Sequence, residues 1–258
     1  MTTDLRIGLD LGSTAIKMVV TDGEKIVHRQ CVPTAPGQEI LARRMIDETM
    51  TTLNLAPESI KGIASTGYGK KLMVEASSNI DEISANALGL FKLSGQSART
   101  IINIGGQDLK VLSLSDSGRI VDFKMNDKCA AGTGRFFELV ARLLNTPLEK
   151  FGELSEAETP VVELNSTCVV FAESEIVSLL ARGEKKEAII RALHASVARR
   201  VAGMVHSKIS DGDVYLDGGP AQNQGLREAL EDELMLEVKV LPEPQFTVAY
   251  GAALTLFN

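Results

Sequence analysis

Two cysteines each precede a segment with the apolar spacing of a helix, an arrangement that suits metal ligation or redox chemistry. Cys129 lies in "NDKCAAGTGRFFE" and Cys168 in "STCVVFAESEIVSLL". A helix N-terminus favours the thiolate, which is the form of cysteine that ligates iron. Two distant cysteines without a CxxC pair are more often inert buried thiols, so the residues alone leave both interpretations open. Cys31, in an early strand, is expected to be a small buried hydrophobe.

Three glycine-containing segments have the residue types that bind phosphate. "DLGST" begins at Asp10, "GGQD" at Gly105 and "DGGPAQN" at Asp217. Glycine turns offer backbone N–H groups to an anion, and a carboxylate at a strand end suits Mg²⁺, which keeps several waters and takes few protein carboxylates. Each segment alone is weak support, because it also fits an ordinary corner after a strand.

These segments predict a set of site residues. Asp10 is expected to hold Mg²⁺ through water, while Gln107 and Asp108 orient water or the metal, so these three are the predicted catalytic residues. The residues predicted to contact a polyphosphate or its nucleoside are Gly12, Ser13, Thr14, Lys17, Gly105, Gly106, Gln107, Gly218, Gly219, Ala221, Gln222 and Asn223. The "GTG" turn after Cys129 is instead expected to lead the chain tightly into a helix.

The elements that must position these residues occur twice in the same order. The alternation of apolar residues predicts strands at "LRIGLD", "AIKMVV" and "KIVHRQCV", followed by a helix, the strand "IKGIAST" and a second helix. The order begins again with the strands "TIINIG", "LKVLSL" and "GRIVDFKM". Helices are then predicted at residues 135–144, 173–180 and 186 to about 208, followed by the strand "DVYLDGG", a helix at "NQGLREALEDEL" and the strand "LEVKVL". A last helix is predicted near residues 248–257.

An alignment of the two halves indicates an internal duplication. "IGLDLGSTAIKMVV" aligns with "IINIGGQDLKVLSL", which places Asp10 on Asn103 and Lys17 on Lys110. Each copy has a strand, a sharp glycine turn and a returning strand. We therefore expect two similar hairpins, each offering backbone N–H groups to phosphate.

The composition excludes several classes of protein. With 258 residues, 44% of them hydrophobic, the chain can bury a sizeable core, and its net charge of −7 argues against sequence-independent binding of nucleic acid. The sequence has neither a long apolar run nor a signal-peptide pattern, and three scattered cysteines do not predict a disulfide framework. We expect a cytoplasmic protein without a nucleic-acid or membrane partner.

The motifs resemble those of a known group of ATPases. "GLDLGST", "NIGGQD" and "DGGPAQN" are similar to the phosphate-1, phosphate-2 and adenosine motifs of the superfamily of actin, the acetate and sugar kinases and the chaperone ATPases. "NIGGQDLKV", "FKMNDKCAAGTGRFFE", "STCVVFAESEIVSLLARG" and "AYGAAL" resemble, more closely, the activator of 2-hydroxyacyl-CoA dehydratases, within the BadF/BadG/BcrA/BcrD ATPase family. This second resemblance covers nearly the whole chain.

The resemblance implies an α/β architecture, namely a duplicated βββαβα actin-like fold with a nucleotide cleft between two subdomains. The N-terminal subdomain is expected at residues 1–95, with the C-terminal helix 248–258 packing back on it. The C-terminal subdomain, at residues 96–247, is expected to carry the two cysteine motifs.

The resemblance also implies a function. It predicts a homodimer that binds ATP or ADP with Mg²⁺ and shares one 4Fe-4S cluster, held by Cys129 and Cys168 of each subunit. Such a dimer receives an electron from a ferredoxin or flavodoxin and donates it, under anaerobic conditions, to a 2-hydroxyacyl-CoA dehydratase or a related reductase. Two alternatives are a small-molecule kinase and a non-catalytic actin-like regulatory module, neither of which explains the cysteine motifs.

Two segments depart from the family pattern. Asn103 stands where the family usually has Asp, which is expected to weaken metal coordination or hydrolysis and to leave more of both to Asp10 and Asp108. The residues Asp217-Gly218-Gly219-Pro220 replace the commoner Thr-Gly-Gly-Val, and Pro220 removes a backbone donor near the predicted adenosine site.

Overall fold

The computed structural model describes residues 4–155, 162–165, 168–205 and 212–257. The chain divides into two compact units. Unit 1 runs through Ala98 and includes Ser115–Ile120 and the segment from Gln245 onward, whereas unit 2 comprises Arg99–Leu114 and Val121–Pro244. Because the chain passes from one unit to the other several times, neither unit is a single continuous stretch of sequence.

The strands are β1 (Leu5–Leu11), β2 (Ala15–Asp22), β3 (Lys25–Pro33), β4 (Ile60–Thr66), β5 (Ser78–Asn79), β6 (Ala98–Ile104), β7 (Leu109–Leu114), β8 (Ile120–Asn126), β9 (Asp213–Asp217) and β10 (Val238–Val240). The helices are α1 (Gln38–Thr52), α2 (Glu82–Leu93), α3 (Gly134–Leu143), α4 (Phe151–Ser155), α5 (Val169–Ala181), α6 (Lys186–Val205), α7 (Gln224–Leu234) and α8 (Thr247–Leu254). Short 3₁₀ turns join several of them. None of the helices in the described part of the chain is long and apolar enough to cross a membrane.

Unit 1 contains a five-stranded sheet in the order β3-β2-β1-β4-β5. β1 pairs antiparallel with β2 and parallel with β4. Five consecutive residues of β1 are buried, as expected of a central strand whose two faces are both covered. One face packs against α8, where a Cβ at Gly8 would overlap the carbonyl oxygen of Ala249. Glycine at this position lets the helix backbone lie directly against the strand.

Unit 2 contains a second five-stranded sheet in the order β10-β9-β6-β7-β8. Read from the other edge, this order is the same as that of unit 1, with β6 in the place of β1 and β9 in the place of β4. The core of unit 2 forms mainly between this sheet and the helices of the unit, of which α6 buries eleven residues. The predicted α/β class and the internal duplication are therefore confirmed.

Some local expectations differ from the structure. The helix predicted from Glu173 begins at Val169, directly after Cys168. The predicted end of α6 near Lys208 lies outside the described residues, and the strand predicted at "LEVKVL" is limited to three residues. The burial expected for Cys31 is wrong, because this residue lies on the sheet-edge strand β3 and is exposed. Alternating polarity does not distinguish an edge strand from a central one.

Candidate functional site

The first predicted phosphate segment forms the turn between β1 and β2 in unit 1. Asp10 lies opposite Lys17 in the register of the two strands, and the Lys17 Nζ donates to Asp10 Oδ2 at 3.0 Å. Burial by itself would lower the pKa of Lys17, but the charge of Asp10 and this hydrogen bond outweigh it and raise the pKa above its ordinary value. Lys17 is therefore a fixed cation beside the turn.

Two buried polar atoms at this turn are suited to binding a hydrated cation and a phosphate group. Asp10 Oδ1 and Thr14 Oγ1 are buried and have no hydrogen-bond partner among the residues that the structure describes. A buried acceptor without a partner is costly, and a water bound to Mg²⁺ would satisfy Asp10 Oδ1. In the same described segments, no group of three or more His, Cys, Asp or Glu residues could hold a metal ion. Mg²⁺ bound mainly by water and phosphate oxygens requires no such group.

Other residues of unit 1 hold this turn in place, and the sequence interpretation missed them. The carbonyl oxygen of Gly12 accepts hydrogen bonds from Thr34 Oγ1 at 2.8 Å and from Gln38 Nε2 at 3.2 Å. Gly67, just after β4, has φ +83°, and a Cβ there would lie 2.6 Å from Asp10 Oδ1. The sequence signal for Gly67 was its position directly after a predicted strand. Its contact with Asp10 could not be predicted, because the two residues are 57 positions apart in sequence.

The second predicted phosphate segment forms the turn between β6 and β7 in unit 2. Asn103 lies opposite Lys110 in the register, as Asp10 lies opposite Lys17. Lys110 Nζ donates to Asp108 Oδ1 at 2.7 Å, and both side chains are almost completely buried. Gln107, in contrast, is exposed at the tip of the turn. The two hairpins therefore share a backbone register but form different ion pairs.

The structure brings the third predicted segment against the second. Asp217, at the end of β9, is fully buried, and its Oδ2 accepts a hydrogen bond from Asn103 Nδ2 at 2.9 Å. Gly218 has φ +91°, and a Cβ there would overlap the carbonyl oxygen of Ile104 on β6. The two segments are thus in direct contact within unit 2.

The remaining residues predicted to contact the nucleoside differ in burial and in hydrogen bonding. Asn223 is the N-cap of α7, since its Oδ1 accepts from the backbone N–H of Leu226 at 3.2 Å, while its Nδ2 lies 2.9 Å from His194 Nε2. Burial lowers the pKa of His194 to about 4, so this imidazole is neutral at pH 7 and its Nε2 can accept from Asn223. Gln222 is exposed and Ala221 is buried. Their contact with a nucleoside stays a prediction.

The turn between β6 and β7 in unit 2 is hydrogen-bonded to the start of α3. The backbone N–H groups of Gly134 and Arg135 donate to the carbonyl oxygens of Gly105 and Gly106, each at 2.9 Å. Thr133, the N-cap of α3, makes no side-chain capping bond. The first two backbone N–H groups of the helix are therefore satisfied by the turn between β6 and β7. These bonds link that turn to the loop containing Cys129.

Cys129 and Cys168, the two cysteines that precede helices, both lie in unit 2 as reduced thiols. Cys168 is the N-cap of α5, and Cys129 lies in the loop before α3, a helix that packs against α5. Both thiols are partly exposed. Arg200 Nη1 donates to Cys129 Sγ at 3.7 Å, and Arg200 also lies against Gly132, whose φ is +92°.

The donor set fits half of an iron–sulfur site. A 4Fe-4S cluster is usually held by four thiolates, whereas this chain offers two at the starts of neighbouring helices. Val170 and Phe171, which follow Cys168 directly, are 69% and 70% exposed. Large apolar side chains exposed beside a potential ligand are typical of a surface that another chain covers.

Known proteins resemble this chain in sequence and in fold along nearly its whole length. The sequence profile of the BadF/BadG/BcrA/BcrD ATPase family matches residues 7–255. The activator of lactoyl-CoA dehydratase of Anaerotignum propionicum is 43% identical over 253 residues, which cover 98% of this chain and 97% of that protein. The (R)-2-hydroxyglutaryl-CoA dehydratase activating ATPase of Acidaminococcus fermentans is 40% identical over 254 residues, which cover 98% and 96%. A solved structure of the activator of the 2-hydroxyisocaproyl-CoA dehydratase from Clostridium difficile, with bound ADPNP, has a TM-score of 0.92 at 40% identity and covers 98% of this chain and 94% of that one.

Proposed function

Because this chain belongs to the BadF/BadG/BcrA/BcrD ATPase family, we propose that it activates a 2-hydroxyacyl-CoA dehydratase, or a related CoA-substrate reductase, by ATP-driven donation of one electron. The chain is an ATP-hydrolysing enzyme with the duplicated actin-like fold. The dehydratase partner is supported by the relatives, since proteins 40% and 43% identical along nearly their whole length are named activators of such enzymes.

For the nucleotide, the proposal assigns one phosphate turn to each unit. In unit 1, Asp10 Oδ1 would accept a hydrogen bond from a Mg²⁺-bound water, and Lys17 and Thr14 would face phosphate oxygens. In unit 2, the backbone N–H of Gly106 would bind phosphate, while Gly105, whose N–H donates to the carbonyl oxygen of Asp108, would hold the turn in shape. Bound Mg²⁺ supplies neutralisation of the charge that develops on the phosphate oxygens.

For the electron, the proposal assigns Cys129 and Cys168 of each of two subunits to one shared 4Fe-4S cluster. The support is the chemistry of the donors, because the two thiols precede neighbouring helices and are flanked by exposed apolar side chains. The cluster supplies a one-electron carrier, reduced by a ferredoxin or flavodoxin. Arg200 would donate to the ligand sulfur of Cys129.

The observation that carries the proposal is the pair of hydrogen bonds from Gly134 and Arg135 to the carbonyls of Gly105 and Gly106. A phosphate turn that rearranges between its ATP and ADP forms must move the start of α3, because two of the first donors of the helix depend on it. This movement would change the position and the exposure of Cys129. Exposure and hydrogen bonding are among the properties that set the potential of an iron–sulfur cluster.

The test is metal analysis of protein purified without oxygen. Iron, sulfide and the visible spectrum are measured for the wild type and for Cys129→Ser, Cys168→Ser and Cys31→Ser. We expect a coloured wild type, loss of iron in the first two variants and no change in the third, because Cys31 lies on the edge strand β3 of the other unit. A wild type that stays colourless after reconstitution would refute the electron-transfer function, and full iron content in either Cys129→Ser or Cys168→Ser would refute the ligand assignment.

A further inference from the structure

Asn223 connects the short 3₁₀ turn Gly219–Gln222 to α7, and each of its polar groups has a hydrogen-bond partner within unit 2. Its backbone N–H donates to the carbonyl oxygen of Pro220 at 3.0 Å, and its own carbonyl oxygen accepts the first hydrogen bond of α7 at 3.2 Å. In the side chain, Oδ1 accepts from the backbone N–H of Leu226 at 3.2 Å, and Nδ2 donates to His194 Nε2 at 2.9 Å. Asn223 therefore fixes the end of the turn to the start of the helix without a ligand.

The two side-chain bonds of Asn223 determine which nitrogen of His194 carries the proton. Oδ1 must face Leu226, because a backbone N–H requires an acceptor, so the NH₂ group of Asn223 faces the imidazole. Nε2 can then only accept, and the single proton of the neutral ring lies on Nδ1. If Nε2 carried the proton, two donors would face each other, and turning the amide over would break its bond with Leu226.

His194, on α6, is held in place by buried contacts with α3 and α7. Its side chain is 1% exposed, and the centroid of its ring lies 5.8 Å from that of Phe137 on α3. On α7, a Cβ at Gly225 would lie 2.8 Å from Cε1 of the imidazole, so glycine there lets the helix approach the ring. Nδ1 has no hydrogen-bond partner in the described part of the chain. Packing alone would therefore be served as well by an apolar side chain, and what the imidazole adds is the acceptor Nε2.

The turn that Asn223 supports contains residues predicted to contact the nucleoside. Gly219 is exposed, and a Cβ there would meet nothing within 4 Å, so a ligand can approach the backbone closely at this point. Gln222 Nε2 donates to the carbonyl oxygen of Gly219 at 3.3 Å, across the same turn. Because the N–H of Asn223 binds Pro220 in the middle of the turn, a displaced Asn223 changes the position of the open backbone at Gly219.

We propose that His194 is a positioning residue for nucleotide binding. Its Nε2 holds the amide of Asn223, and Asn223 holds residues 218–222 in the conformation that contacts the nucleoside of ATP or ADP. Asn223 thus contributes by supporting the turn and not by direct contact with the ligand. The inference rests on the nucleotide part of the proposed function and is independent of the iron–sulfur part.

The test uses two variants that break the bond between these side chains and one that preserves it. His194→Leu keeps a buried side chain but removes the acceptor, and Asn223→Ser removes the donor while keeping a hydroxyl that can cap α7. His194→Gln supplies an amide oxygen as a new acceptor for Asn223. The control is Leu193→Ala, which opens a cavity at the preceding, fully buried residue of α6 but removes no hydrogen-bonding group.

The measurements separate nucleotide binding from stability. For each protein, the dissociation constant of ADP is measured by isothermal titration calorimetry, kcat and KM for ATP by steady-state hydrolysis, and the midpoint of thermal unfolding by circular dichroism. The ¹⁵N resonances of the imidazole nitrogens at pH 7 report the tautomer. Because the chain has three histidines, the set of resonances that is lost in His194→Gln assigns those of His194.

We expect His194 of the wild type to carry its proton on Nδ1. His194→Leu and Asn223→Ser should each weaken ADP binding and raise KM by about 3- to 10-fold, the equivalent of one net hydrogen bond, with kcat changed less than about 2-fold. His194→Gln should bind ADP like the wild type. Leu193→Ala should lower the unfolding midpoint but leave ADP affinity unchanged.

Wild-type ADP affinity in either His194→Leu or Asn223→Ser would overturn the inference, as would a proton on Nε2 of His194 in the wild type. A folded His194→Gln that binds ADP as weakly as His194→Leu would also contradict it. So would an equal loss of affinity in Leu193→Ala, because general loosening of α6 would then explain the effect. If His194→Leu does not fold, Asn223→Ser decides in its place. A wild type that binds neither ADP nor ATP would contradict the proposed function itself.

Discussion

The two turns that are predicted to bind phosphate share one hairpin register but have different neighbours. In unit 1, Asp10 and Lys17 form an ion pair across the hairpin and leave Asp10 Oδ1 available, so binding groups are concentrated on two adjacent strands. In unit 2 the charges are distributed between the turn and β9, and the turn also holds the start of α3. Under the proposed function, the first turn would mainly bind phosphate, whereas the second would both bind phosphate and transmit a change to the loop that contains Cys129.

The largest effect is expected from Asp10→Asn, which removes the carboxylate of the first turn. We expect ATPase activity to fall by about 100-fold or more, since a preorganised group acting on phosphate charge is lost and Lys17 is left without its counter-ion. Steady-state ATP hydrolysis measures the effect. Asp22→Asn is the matched control, because Asp22 is an exposed residue at the opposite end of the same hairpin. Equal losses in both variants would contradict a specific role for Asp10.

The second prediction compares the two positive-φ glycines that follow β4 and β9. Gly67→Ala and Gly218→Ala should each destabilise the protein by about 1–3 kcal/mol, because alanine is strained at these φ angles and its Cβ meets a neighbouring strand end. Urea unfolding followed by circular dichroism measures this change. Gly23→Ala is the control. Gly23 also has a positive φ, +58°, but an added Cβ would meet nothing within 4 Å, so its smaller destabilisation measures backbone strain alone. The inference that both glycines are needed for a close approach to the neighbouring strand would be wrong if Gly67→Ala or Gly218→Ala destabilised the protein no more than Gly23→Ala.

A third variant, Gly134→Ala, should separate phosphate binding from the transmission of a conformational change to Cys129. In Gly134→Ala the new Cβ would lie 3.3 Å from the carbonyl oxygen of Gly105, which forces the start of α3 away from the turn by a few tenths of an ångström. We expect ATP hydrolysis to change less than about 3-fold, because the carboxylates are untouched. The difference between the reduction potentials of the ATP and ADP forms, measured by redox titration, should shrink.

The control for this variant is Gly203→Ala on α6, where the added methyl group meets nothing within 4 Å. A full ATP-dependent difference in potential in Gly134→Ala would show that the signal reaches Cys129 by another route.

The smallest effect is expected from Arg200→Gln, which concerns only the environment of one thiol. Loss of the guanidinium beside Cys129 Sγ should make the potential of the reconstituted cluster more negative, because a positive hydrogen-bond donor to a ligand sulfur stabilises the reduced form. Redox titration of the ADP form measures the shift. Arg182→Gln removes the same charge from an exposed residue at the C-cap of α5, the end of that helix distant from Cys168, and should leave the potential near that of the wild type. An equal shift in both variants would indicate a general charge effect.

The sequence by itself determined the duplication and the class of fold. Alternating apolar residues placed the strands, and the alignment of Asp10 with Asn103 and of Lys17 with Lys110 is reproduced by the strand registers. These features are local, because hairpin register follows from the side-chain period and the turn length. The position of Cys129 and Cys168 before helices could likewise be predicted from the sequence, since apolar residues follow each cysteine at helical spacing.

Only the tertiary structure decided which of these residues act together. Asn103 and Asp217 are 114 positions apart, and nothing in the sequence shows that their side chains share a hydrogen bond. The same holds for Arg200, which reaches Cys129 from 71 positions away, and for Cys31, whose exposure depends on β3 being an edge strand. Local patterns specify elements, whereas the order in which sheets and helices pack brings distant polar groups into contact and fixes which charges are paired.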